Sequence, residues 1–64
     1  MRGRVTVFDK EVGLGEITGV DGRVFPFHCI AIADGSRDIT TGVDVEFDVL
    51  PKLGRYEAEH VTPT

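Results

Sequence analysis

The chain reads as an all-β protein, a five-stranded antiparallel closed barrel, and three observations predict it. No window carries a helical period of apolar residues. Eight glycines and three prolines interrupt the 64 residues at short intervals. Five short runs of strand-forming residues follow one another through turns, with one longer connection after the third. A barrel leaves little exposed edge, which suits so small a β domain.

Arg4 to Phe8 is the first strand, rich in β-branched residues, and Asp9-Lys10-Glu11 is a polar turn. Leu14 to Thr18 is the second strand. Asp21-Gly22 then gives a strong hairpin signal, because a tight turn needs positive φ. Arg23 to His28 is the third strand, with Phe25 and Phe27 on one face and Pro26 and His28 on the other. Cys29 to Gly42 is the longer connection, in which Ile30-Ala31-Ile32-Ala33 fits one helical turn. Val43 to Val49 alternates apolar and acidic residues strictly, so one face is buried and the other wet. Pro51-Lys52-Leu53-Gly54 turns the chain, and Tyr56 to Val61 is the fifth strand.

The bulk numbers narrow the function. Residues 1–64 make one small domain, with a core near the lower limit for independent stability. The net charge is −4, from 11 acidic and 7 basic side chains, which opposes a broad basic footprint for nucleic acid but not a local one. A single cysteine, Cys29, excludes an internal disulfide and a multi-cysteine zinc site, and fits a reducing cytoplasm. The apolar stretch Val5 to Phe8 is too short for a signal peptide or a membrane span. No catalytic constellation is expected. Cys29 lacks an activating base if His28 points to the opposite face, and His28, Cys29 and His60 are too few for zinc. Gly13-x-Gly15 lacks the third glycine and the helix of a dinucleotide loop, so it serves a bend between strands. The stripe Asp44, Glu46, Asp48 reads first as the wet face of a sheet. Neither a metal, a cofactor nor a small-molecule substrate is expected.

The layout resembles a cold-shock domain, the oligonucleotide-binding (OB-fold) barrel of bacterial cold-shock proteins. Gly3-Arg4-Val5-Thr6-Val7-Phe8-Asp9 is similar to the family's opening Gly-x-Val-x-Trp-Phe-Asn. Val12-Gly13-Leu14-Gly15-Glu16-Ile17 stands where the family has Lys-Gly-Phe-Gly-Phe-Ile, and Phe25-Pro26-Phe27-His28-Cys29 where it has Val-Phe-Val-His-Phe. Ile32, the Gly42-Val43-x-Val45-x-Phe47 run, Ala58 and Val61 match its remaining core pattern.

The resemblance implies single-stranded RNA or DNA as partner, held by aromatic stacking on strands one to three. Phe8 and His28 keep the family's residue types. Val7 stands in place of Trp, while Leu14, Glu16, Pro26 and Cys29 each stand in place of Phe. Base–aromatic stacking contributes roughly 1–3 kcal/mol per base, so losing about four platforms costs on the order of 4–10 kcal/mol. Even the low end is roughly a thousandfold in affinity. The expectation is a nucleic-acid module of weakened or altered binding, with Phe8, Leu14 and His28 on bases and Lys10, Arg37 and Arg55 on phosphates. Phe8 has two readings, core or surface, and so does His28, base contact or bare surface histidine. The alternative function is a degenerate barrel that binds a protein partner through an aliphatic, acidic face. An exposed Val7-Leu14-Pro26 patch favours the alternative, and basic residues converging beside His28 favour the first.

Overall fold

A computed structural model describes all 64 residues. Five strands form a single antiparallel sheet: β1 (Arg2–Asp9), β2 (Leu14–Gly19), β3 (Val24–His28), β4 (Asp44–Lys52) and β5 (Arg55–Pro63). The order across the sheet is β3-β2-β1-β4-β5. The expected helical turn is a short 3₁₀ segment, Cys29–Ala31, starting one residue earlier than the sequence suggests.

The all-β, five-stranded antiparallel sheet is as expected, but hydrogen bonds do not close it into a barrel. β3 and β5 are the outer strands of the sheet, and no hydrogen-bonded ladder joins them. The segment after β3 spans the opening instead. Ile32 bridges Val61 in parallel, and the Ala33 N–H donates to the Val61 carbonyl at 2.8 Å. The outer edge of β3 also carries Pro26. The Gly19–Arg23 and Gly13–Cys29 bonds set odd-numbered residues of β3 as the hydrogen-bonded partners of β2. The nitrogen of Pro26 therefore faces the open edge, where the missing donor costs no ladder bond.

The curled sheet closes around nine buried residues: Val5, Ile17, Phe25, Phe27, Ile32, Val45, Phe47, Ala58 and Val61. Phe25 and Phe27 lie inward, as alternation predicts, and Phe25 meets Phe47 in a tilted pair with centroids 5.3 Å apart. Alternation fails in β1. A bulge shifts the β1–β2 register between Val5 and Val7, leaving Thr6 as the extra residue. Its hydroxyl donates to the Glu16 carbonyl at 3.4 Å and lies 3.3 Å from the Thr18 hydroxyl. Before the bulge Val5 points inward. After it Val7 points out and Phe8 points in.

β4 runs to Lys52, past the point where a turn was expected from Pro51 onward. Pro51 is tolerated because β1 pairs only with residues 44 to 46 of β4, so the far end of that strand has an open side. The turn itself is Leu53-Gly54, with both residues at positive φ, 41° and 85°.

Candidate nucleic-acid interface

The outward face of β1, β2 and β3 holds a groove of about 480 Å³. Its floor is Val7, Leu14 and Pro26, with Val12 on the β1–β2 turn. The strand register explains this convergence. Val7 is opposite Glu16, Glu16 is opposite Pro26, and Leu14 is opposite His28, so one face of three neighbouring strands supplies the whole surface. Val7 and Leu14 are about half exposed, at 49% and 50%. Arg55 and Glu57 of β5 also line the groove, although β5 is distant in sheet order. The curl of the sheet brings β5 against β3.

His28 ends β3 and caps the 3₁₀ turn. Its Nδ1 accepts the Ile30 N–H at 3.3 Å. In the neutral ring this places the proton on Nε2, the nitrogen left for a ligand. The strand ends at His28, so Cys29 does not alternate to the opposite face, as a continuing strand would require. Its Sγ sits 3.7 Å from His28 Nδ1. Cys29 itself is half-buried against the core.

Of the residues expected to touch nucleic acid, Leu14, His28 and Arg55 line the groove together. Phe8 does not. Its ring packs inward on Phe27, with centroids 5.9 Å apart and planes 3° from parallel. Lys10 and Arg37 belong to a different region. Lys10 pairs with Asp38 at 3.1 Å, tying the β1–β2 turn to the long connection, and Arg37 precedes Asp38 in a left-handed conformation, φ 58°. The basic residues do not converge beside His28. Arg4 pairs with Asp44 at 3.0 Å and Arg23 with Asp21 at 2.6 Å, and Arg55 is held by Glu57 at 2.9 Å. Arg2 and Arg4 line a second groove at the far end of the same face, with Thr6, Thr18 and Asp44.

Sequence reading missed Asp9 and Glu57 as groove residues. Glu57 carried no signal, because its place in the groove depends on how the sheet curls, which no local pattern encodes. The acidic stripe on β4 is solvated; Asp44 is paired with Arg4, and Asp48 lies 2.9 Å from His60 Nδ1. No three His, Cys, Asp or Glu side chains come together in a metal-holding arrangement. No helix is long and apolar enough to cross a membrane.

A small antiparallel β-sheet that curls around one core, with a groove on its first three strands, is the build of a nucleic-acid-binding module. The chain matches the family model of the 'Cold-shock' DNA-binding domain over residues 1–64, its whole length, and belongs to that family. The family's domains bind single-stranded nucleic acid. No curated protein sequence matches the chain.

Proposed function

We propose that residues 1–64 act as one binding module for single-stranded RNA or DNA, with affinity below that of an aromatic-rich surface, and that the chain performs no catalysis. The observation that carries this reading is the groove on β1–β3, where Leu14, Pro26 and His28 offer base-sized contact area beside the cationic Arg55. His28 stacks on a base or donates to it from Nε2, Leu14 and Pro26 pack under neighbouring bases, and Arg55 meets a phosphate. Lys10 and Arg37 extend the phosphate track along the neighbouring loops. The half-buried Phe8 supports the floor from beneath. Weak binding follows from chemistry. Among groove residues exposed to solvent, the only aromatic ring is the His28 imidazole, and Arg55 is shared with Glu57. A free thiol at Cys29 suits a reducing, cytoplasmic setting.

A second reading, a protein partner, draws on the charge of the same groove. Asp9, Glu16 and Glu57 outnumber Arg55 there, and a basic, apolar peptide segment complements such a surface. A fluorescence titration with labelled oligo-dT and oligo-U separates the two. Saturable binding at low salt that weakens toward physiological salt supports the nucleic-acid reading. No binding at high micromolar protein in low salt removes it and leaves the protein partner.

A further inference from the structure

Of the three groove carboxylates, Asp9 accepts the Glu11 and Val12 N–H groups and Glu57 pairs with Arg55, which leaves Glu16 as the one without a partner. It projects from the middle of β2, between Val7 of β1 and Pro26 of β3. Its side chain is exposed, and no Arg, Lys or His pairs with it. No hydrogen bond from another side chain or from the backbone reaches its carboxylate; the Thr6 hydroxyl bonds to its main-chain carbonyl instead. The two carboxylate oxygens are therefore free acceptors set beside apolar side chains that exclude part of the surrounding water.

We propose that Glu16 makes the groove selective for guanine, an inference that rests on the nucleic-acid reading above. An ionised carboxylate accepts hydrogen bonds through two adjacent oxygens and donates none. Among the four bases, guanine alone presents two adjacent donors on its pairing edge, N1–H and the N2 amino group. Cytosine and adenine present one amino donor next to a ring-nitrogen acceptor, which repels the second oxygen. Uracil and thymine present one N–H flanked by two carbonyls, which repel both flanking approaches. Single strands leave these edges open for reading. With Leu14 and Pro26 packing on the base plane, the carboxylate reads the edge instead of adding a further stacking platform. The substitution of an aromatic by Glu16 then exchanges general affinity for discrimination.

The test uses the intact chain and three labelled strands at low salt: an oligothymidylate, the same strand with one central guanine, and the same strand with a central inosine. Inosine keeps N1–H and lacks the amino group. The expected result is roughly five- to tenfold tighter binding of the guanine strand than of oligothymidylate, the low end of what a bidentate base contact supplies. The inosine strand should fall between them. Glu16→Gln should abolish the preference while leaving the fold intact, checked by its thermal unfolding, because the side chain is exposed. Binding of all three strands with equal affinity overturns the inference and leaves the nucleic-acid reading standing. A guanine preference that survives Glu16→Gln also overturns it. Failure of every strand to bind overturns both.

Discussion

The rings of Phe8 and Phe27 lie parallel, 3° apart in plane with centroids separated by 5.9 Å, although β2 runs between their strands. Gly15 makes this possible. It is opposite Phe8 on one side and Phe27 on the other, and its missing side chain leaves the space in which the rings meet. A Cβ there would stand 2.6 Å from the Val7 carbonyl oxygen and 2.7 Å from the Phe27 ring. Backbone on one side and a buried ring on the other leave little room to give. Gly15→Ala is expected to destabilise the protein by about 1–3 kcal/mol, the range for overpacking. Phe8→Ala should cost about 2 kcal/mol, below the full cost for a buried phenylalanine because Phe8 is only half-buried. Denaturant unfolding measures both. If Phe8 acts from beneath, its removal changes oligonucleotide affinity less than twofold in the folded variant.

Arg55 and Glu57 form the rim of the groove, and their 2.9 Å ion pair ties up the cation nearest His28. Glu57 is the less exposed partner, so the pair holds Arg55 against the protein. Glu57→Gln should free the guanidinium and raise single-strand affinity about two- to fivefold, a gain of less than about 1 kcal/mol. Arg55→Ala should lower affinity and reduce the salt slope by roughly 0.7, the value for one phosphate contact on a single strand. His28→Ala should weaken binding by roughly 1 kcal/mol without changing that slope, because stacking releases no counterion. Titrations at three salt concentrations distinguish the two effects.

Val7 occupies the centre of the groove where the family carries tryptophan, and the bulge at Thr6 is what turns it outward. Val7→Trp should increase affinity for oligothymidylate by roughly five- to thirtyfold, corresponding to about 1–2 kcal/mol from one restored stacking platform. Its intrinsic fluorescence should be quenched as the strand binds, which gives a second readout in a chain with no native tryptophan. An unchanged affinity would mean that this face does not hold bases.

The fold was legible where side-chain alternation and turn chemistry spoke together. Phe25 and Phe27 inside, Pro26 and His28 outside, the Asp21-Gly22 hairpin and the acidic face of β4 all follow from period two and from residues suited to positive φ. One failure has a local cause. A bulge changes parity without changing composition, so the inward turn of Phe8 was not visible. Closure of the sheet was also out of reach. It depends on whether the two outer strands approach within hydrogen-bonding distance, which local pattern does not encode. The groove lay between these cases. Leu14 and His28 could be placed on one face from alternation, but Arg55 joins them only through the curl of the sheet, and Lys10 and Arg37 are drawn away by Asp38 and the long connection.

Leu53 is an anomaly of the same local kind. It is fully solvent-exposed and sits at φ 41° in the two-residue turn between β4 and β5, followed by Gly54 at φ 85°. Two positive φ values in such a turn favour Asn-Gly, because leucine's Cβ crowds the backbone there. No core contact is lost when this side chain is removed. Leu53→Asn is expected to stabilise the protein by about 0.5–1 kcal/mol, the scale of a relieved left-handed residue. For a domain this small that corresponds to a rise of roughly 4–8 °C in Tm per kcal/mol. A lower Tm would mean that Leu53 makes a contact in solution that its exposure does not suggest.

Acid should act on the turns held by Asp21 and Asp34. The Arg23 backbone N–H donates to the Asp21 carboxylate, and the Arg23 guanidinium pairs with it; these hold the Asp21 carboxyl below its ordinary value of 3.8. Asp34 is lowered likewise, by the backbone N–H of Ser36 and then by its side chain. A carboxyl whose folded pKa lies below its unfolded one stabilises the fold above the unfolded value. That contribution is lost as pH falls through the folded one. Stability should therefore hold near neutrality and decline as pH drops from about 4 downward, where the unfolded chain takes up protons that the folded carboxylates resist. Asp21→Asn should flatten that decline, while stability near pH 7 drops by the loss of an exposed turn interaction. NMR titration of the Asp21 side-chain carbon tests the assignment directly: a midpoint at or above 3.8 in the folded protein would show that Arg23 does not hold the carboxylate in solution.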